Sequence, residues 1–301
     1  MHDALVTALC SRTRLRLVLA DVTESARANE IRHQAGPTAG CVLAEGLTAV
    51  ALLSSDAAQA EEAISIGLRV DGPVQGLMVE ACGNGNLRGF PHIKALNALD
   101  GAAEIATGPA LGAAGSVAVV RSLPGRILNQ TMLQLNPPRL ETLVARFCNQ
   151  SMQVPTAACI VVRSDVAGVL FARGLIAARM PDSDGAAFLR VLEAFNAGQV
   201  AARLAETERL EDFGEVLGGL DLAIRERREL RFQCRCSREK MAAVVLGLPA
   251  DDLNAMLAEG GDHRVTCHMC GQTHTLTTDE LRALIKAGRA AVETGPEGSA
   301  S

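Results

Sequence analysis

The chain has no tryptophan and no tyrosine, and seven phenylalanines are its only aromatic residues. That removes the stacking platforms on which single-stranded nucleic acids bind and the aromatic belts of membrane interfaces. Positive charge is also in deficit. Lysine and arginine total 29 against 34 acidic residues, leaving a formal charge of −5, and no nucleic-acid partner is expected from that balance. Long hydrophobic runs are missing too: the longest uncharged stretches, residues 105–120 and 147–162, reach only 16 residues each. A helical bilayer span needs about 20 apolar residues, so no transmembrane segment is expected and no membrane partner. Arg12, Arg14 and Arg16 interrupt the N-terminal stretch where a secretory leader would carry its apolar core. The expected compartment is the cytoplasm.

What is present can fold. Hydrophobic residues make up 48% of the 301 and charged residues 21%, enough to bury a core over two or three domains. Residues 13–21 alternate in part and read as a strand, and the Ala/Leu/Val run 38–54 after Pro37 reads as a buried helix. Strands over 64–70 and 74–81 flank an Asp71-Gly72-Pro73 turn, and Asn84-Gly85 supplies the next turn. Strands at 116–122 and 126–135, a helix over 138–149 and a hairpin about Ser164-Asp165 follow. Without regular strand–helix alternation, residues 1–180 read as one α+β core domain.

Beyond Pro181 the composition shifts: 14 of the 29 residues from Arg203 to Arg231 are charged. Leu210, Phe213, Leu217, Leu220 and Ile224 recur at spacings of 3, 4, 3 and 4, which predicts one apolar stripe on a helix. Gly218-Gly219 in the middle predicts a weak point, because each glycine costs about 1 kcal/mol relative to alanine there. The 181–231 segment is therefore expected to be a helical linker, either a solvated connector or a segment poised to unfold. Residues 232–287 read as a separate small module. Ser237 caps a helix ending near Gly247, Pro249 opens a second ending at Glu259, and Gly260-Gly261 precedes strands at 264–266 and 273–276. Thr277 and Glu280 form a capping box for a last helix closed by Gly288. The tail over 288–301 is expected to be disordered.

Nine cysteines, an odd number, do not suggest a structural disulfide framework in a reducing compartment. Cys10, Cys41, Cys82, Cys148 and Cys159 are scattered and read as small buried apolar residues. The other four, Cys234, Cys236, Cys267 and Cys270, lie within 37 residues. Cys267-x-x-Cys270 before Gly271 is a turn that can place two sulfurs on one metal, and Cys234-x-Cys236 can add two more if the chain bends before Ser237. Cys234-x-Cys236 alone is weak evidence, and Cys267-x-x-Cys270 alone equally fits a redox dithiol. Together they point to zinc or another thiophilic metal in a closed four-thiolate site, with no open position to activate water. Four thiolates and one zinc ion leave a negative site, which Arg231, Arg235, Arg238 and Lys240 are expected to flank. His263, His268 and His274 are expected at the surface. A module this small has too little core to fold comfortably without its metal.

The run F-Q-C-R-C-S-R-E-K (Phe232 to Lys240) followed by V-T-C-H-M-C-G (Val265 to Gly271) closely resembles the redox-regulated 33 kDa heat-shock chaperonin family of bacteria. D-G-P-V-Q-G (Asp71 to Gly76), L-R-G-F (Leu87 to Phe90), F-C-N-Q-S-M-Q-V-P-T (Phe147 to Thr156) and G-L-I-A-A-R-M-P (Gly174 to Pro181) fall in the order that family shows. The resemblance implies an ATP-independent holdase and not an enzyme, inactive while reduced and holding one Zn2+ per chain. It further implies that oxidation forms Cys234–Cys236 and Cys267–Cys270 disulfides, releases zinc, unfolds the linker and exposes a surface for unfolded or misfolded client proteins. Homodimers of the oxidised chain belong to the same expectation. His268 and Met269 stand where relatives carry an acidic residue or asparagine and an aromatic. Two rival functions remain open: a thiol–disulfide oxidoreductase using Cys267 and Cys270, and a constitutive zinc-stabilised interaction module.

Overall fold

Alternating apolar residues in the first 21 positions make two strands, β1 (Ala4–Cys10) and β2 (Leu15–Asp21), paired antiparallel along their length. The computed structural model describes residues 2–102 and 104–293, with side chains to residue 286. The expected hairpins form β3 (Ala63–Val70), β4 (Gly76–Cys82) and β5 (Asn86–Pro91), then β6 (Gly115–Leu123) with β7 (Arg126–Leu135), and β8 (Thr156–Asp165) with β9 (Gly168–Arg179). Two more strands come late in the chain, β10 (Ala223–Glu229) and β11 (Arg231–Phe232). They complete a five-stranded antiparallel sheet, β10-β1-β2-β9-β8, and a six-stranded sheet, β11-β5-β4-β3-β6-β7, in which β11 runs parallel to β5.

Helix α1 (Thr23–His33) leads into α2 (Pro37–Leu53), which carries one charged residue, Glu45, and buries 15 of its 17 residues. A helix with no polar face must be enclosed, and α2 lies between the sheets, against β8 and β9 on one side and β4 and β5 on the other. Gly46 permits the approach of β4, since a Cβ there would stand 2.9 Å from a Leu77 methyl. Extended to Asp56, the helix is long and apolar enough to cross a bilayer, yet 94% of its 18-residue apolar window is buried in the core. Its hydrophobicity is accounted for by the two sheets. Helix α3 (Leu140–Arg146) closes the same layer over β8.

The inner strands of the five-stranded sheet are buried on both faces. Val18 and Ala20 of β2 turn toward α2, while Leu15, Leu17 and Leu19 turn outward under α4 (Gly185–Asn196), α5 (Gln199–Glu206) and the segment that follows. Here one expectation is corrected. Residues 210–216 make only a 3-10 turn and a single helical turn, not a helix reaching Ile224. Gly218 and Gly219 adopt φ of +85° and +73°, in the left-handed region that stops a helix, and the Leu220 N–H returns to the Gly214 carbonyl at 2.8 Å. The 3-4 spacing is met by this compact turn: Leu210, Phe213, Leu217 and Leu220 are buried against Leu15 and Leu17. Ile224 is not with them. It lies on the charged edge strand β10, 38% exposed, and charge on an edge strand discourages unwanted pairing. Arg173 of β9 fastens the start of the segment, donating to Asp21 at 2.9 Å, to the Leu204 carbonyl at 3.2 Å and to Glu208 at 3.4 Å.

The chain divides into two compact units between Cys234 and Arg235. The second contains α6 (Arg238–Leu246), α7 (Ala250–Glu259), the hairpin of β12 (Asp262–Thr266) with β13 (Thr273–Thr277), and α8 (Thr278–Glu293). Its caps follow the sequence: Ser237 Oγ accepts from Lys240 N–H, and Thr277 and Glu280 exchange bonds reciprocally. Gly288 does not close α8, which runs on to Glu293; one interior glycine costs about 1 kcal/mol, too little to end a helix among Ala and Arg neighbours. Of the tail expected to be disordered, residues 294–301 lie outside the described residues.

A helix-stabilising effect of alanine at Gly218 or Gly219 is now excluded. Each replacement should destabilise the first unit by about 1–2 kcal/mol, the cost of a left-handed backbone carrying a Cβ, read as a lower midpoint in urea unfolding. Gly219, with nothing within 4 Å of an added Cβ, isolates the backbone contribution.

Candidate metal centre

The β12–β13 hairpin builds half of the site. Cys267 N–H donates to the Gln272 carbonyl at 2.8 Å, Gly271 N–H returns to the Cys267 carbonyl at 2.8 Å, and Gly271 takes φ +69°. This left-handed glycine closes the turn and brings Cys267 and Cys270 inward, 7% and 2% exposed. The other half follows β11. Pairing of Arg231 with Asn86 and of Phe232 with Leu87 carries the chain along β5, after which Cys234 and Cys236 precede the Ser237 cap. The sulfurs of Cys234, Cys236, Cys267 and Cys270 all lie within 4.8 Å of one another, with Cys236 and Cys270 at 3.5 Å. Zn–S bonds of about 2.3 Å in a tetrahedron need sulfurs roughly 3.8 Å apart. The four thiols therefore fit a thiophilic ion.

Of the cations expected around the site, Arg231 bonds to Asn86 and Gln233, Arg238 to the Thr275 carbonyl and Glu280, and Lys240 to the Arg235 carbonyl. Arg88 of β5, which the expectation did not include, reaches a sulfur: its Nη1 donates to Cys234 Sγ at 3.4 Å while Nη2 pairs with Glu80 at 2.8 Å. Burial opposes the guanidinium charge, but Glu80 and the Cys234 sulfur outweigh it and hold the group firmly protonated. Nothing in the spacing of the cysteines pointed to Arg88; its only sequence signal was the L-R-G-F run.

His263 is buried rather than at the surface, His268 is exposed, and none of the three neighbouring histidines joins the four-thiol group. The scattered cysteines behave as packing groups, with Cys10, Cys41, Cys82 and Cys148 buried and Cys159 half-buried. Burial pushes the thiols of Cys41 and Cys159 up to about 12 and that of Cys148 to about 11.

Comparison with known proteins decides the family. The Hsp33 protein family matches residues 3–277. This chain belongs to the Hsp33 family. A 33 kDa chaperonin of Symbiobacterium thermophilum is 28% identical over 288 residues, covering 93% of this chain and 96% of the relative. Another, from Cyanothece sp., is 28% identical over 295 residues, covering 95% and 97%. The crystal structure of a 33 kDa chaperonin from Thermotoga maritima superposes with a TM-score of 0.85 at 21% identity, over 96% of this chain and all of that one. The α+β fold is thus the Hsp33 fold, and membership in the family makes the chain a chaperone whose partners are client proteins.

Removing the guanidinium from Cys234 tests its part in the centre. Arg88→Gln should weaken metal retention by about 10- to 100-fold, the usual effect of losing a group that orients a ligand, while Arg88→Lys keeps the charge and loses less. Competition against a chromogenic chelator, with folding checked by circular dichroism, reads both.

Proposed function

We propose that the protein is a redox-regulated, ATP-independent holdase whose metal is zinc and whose site is a switch. The observation that carries the reading is the convergence of four thiols in a chaperone chain. Soft sulfur ligands favour zinc, and four of them leave no open position for catalysis. When bound, the ion would hold Cys234, Cys236, Cys267 and Cys270 together and stabilise a unit with a small core.

Oxidation of thiolates removes the ligands. Two neighbouring cysteines lose two electrons to an oxidant such as peroxide and join as a disulfide, and the ion departs. We assign the pairs as Cys234–Cys236 and Cys267–Cys270, with the strained Cys234–Cys236 ring closing second and reducing first. Leu210, Phe213, Leu217 and Leu220 then act with their neighbours as the switch linker, uncovering the apolar face of β2 for unfolded clients. The functional division is a client-binding core over 1–180, a metastable linker over 181–231 and the redox module over 232–287. Homodimers of the oxidised form and a cytoplasmic location, where thiols stay reduced at rest, complete the reading. The protein carries out no catalysis in this scheme. The C-x-x-C turn joins two strands, unlike the helix-start thiols of oxidoreductases.

Light scattering of a thermally unfolding client, with zinc release followed in parallel, tests the switch. Reduced protein should leave aggregation unchanged, and peroxide-treated protein should suppress it while releasing one zinc per chain. Equal suppression by the reduced form favours a constitutive module. Peptide mapping is discriminating because Cys236 and Cys270 already approach to 3.5 Å: a dominant Cys236–Cys270 bond would overturn the assigned pairs.

A second test addresses the linker. Leu217→Asp or Leu220→Asp buries a charge against β2 and should give activity in reducing buffer with zinc still bound. If both variants stay folded, zinc-loaded and inactive, the segment is only a connector.

A further inference from the structure

Within the first unit, a pocket of about 340 Å3 opens beside α2, away from the cysteine cluster. Its floor is polar. Glu45, the single ionisable carboxyl on an otherwise apolar helix, accepts a hydrogen bond from Thr107 Oγ1 at 2.8 Å. Among the described residues no cation lies within ion-pair distance of it; Arg139, which also lines the pocket, pairs with Glu141 at 3.7 Å and attracts Glu45 from farther off. Leu111, Leu140 and Ile160 supply hydrocarbon to the lining beside Arg139 and Glu141. Burial pushes the Glu45 carboxyl up to about 7, with Thr107 and Arg139 opposing and Glu141 adding to the rise. A carboxyl held in this way gains most from a partner that brings a positive charge.

We propose that this pocket binds a small amphipathic organic cation, an alkylammonium whose ammonium group hydrogen-bonds Glu45 and whose hydrocarbon body lies against Leu111, Leu140 and Ile160. At about 30 Å3 per non-hydrogen atom, the space holds roughly ten. A metal ion is a poor fit, since the Glu45 and Glu141 carboxylates and the Thr107 hydroxyl fall short of the six or more oxygens a hard cation takes, and Glu141 is already paired with Arg139. An anion would face Glu45 directly. A neutral alcohol gains the walls but not the charge. The site has no role in the redox reading and stands or falls without it.

The test titrates full-length, reduced, zinc-loaded protein with hexylammonium chloride, and with hexan-1-ol and sodium hexanoate as probes of equal chain length. Hexylammonium should bind saturably by calorimetry and raise the melting temperature. Hexan-1-ol should bind at least about tenfold more weakly, as expected for loss of a charged hydrogen bond, and hexanoate not at all. Glu45→Gln should bring hexylammonium down to the level of the alcohol. Ile160→Trp, which fills the pocket and leaves Glu45 in place, should abolish binding. Equal binding of alcohol and ammonium, no binding of hexylammonium to the wild type, or undiminished binding to a folded Glu45→Gln variant overturns the proposal. If Glu45→Gln does not fold, undiminished binding to Ile160→Trp overturns it instead.

Discussion

The second unit is built around a shortage of hydrophobic burial. Its buried apolar cluster is Ala242, Val245, Leu276, Leu281 and Ile285, with a few half-buried neighbours, whereas the first unit buries 15 of the 17 residues of α2 between two sheets. A domain of about 60 residues is marginal even with a good core. In the proposed reading, a metal on the four converging sulfurs would supply what the core lacks, because metal–thiolate bonds in small modules contribute on the order of 10 kcal/mol or more to folding. That energy would depend on the redox state of the ligands, while hydrophobic burial does not. Stability would then rest on bonds that an oxidant removes.

The outer layer of the first unit has a matching imbalance. Leu210, Phe213, Leu217 and Leu220 bury an apolar face of β2, but the surrounding backbone is a 3-10 turn, one helical turn and two left-handed glycines. Few of its backbone bonds are cooperative helix bonds, so the segment is held by side-chain burial and by the Arg173 contacts at its start. Elements of this kind open at lower free energy than the sheets beneath them. A helix through the same residues would have been the sturdier cover.

Local chemistry was legible in the sequence where one short range of residues decides the outcome. The Ser237 cap and the Thr277/Glu280 box rest on contacts within a few residues, and the Asp71-Gly72-Pro73 and Asn84-Gly85 turns and the helix after Pro37 carry their signal in a short run of residue types. The four cysteines were legible for a related reason: pair spacing encodes the turn that gathers two sulfurs. The linker was not, because spacings of 3 and 4 suit both a helix and a compact turn on a sheet, and only the backbone angles of Gly218 and Gly219 distinguish them. The β1–β10 pairing joins residues more than two hundred positions apart, and neither strand carries a mark of the other. Arg88 belongs to the same class, brought to Cys234 by a parallel pairing of only two residues.

That short pairing has a consequence for how the two halves of the metal centre differ. Cys267 and Cys270 sit in a hairpin turn closed by its own backbone bonds, so their spacing survives as long as β12 and β13 pair. Cys234 and Cys236 have no such frame. Cys234 is placed by β11 on β5 and by the Arg88 guanidinium, itself fixed to Glu80. A charge-assisted contact to sulfur is strongest when the sulfur is anionic, and it weakens once the sulfur is tied up in a neutral disulfide. On the proposed switch, oxidation at Cys234 would therefore remove a metal ligand and an anchor to β5 in the same step. Oxidation at Cys267 and Cys270 would remove ligands and leave their turn intact. Of the two thiol pairs, the one beside the linker is then the one whose chemistry would loosen the chain that precedes it.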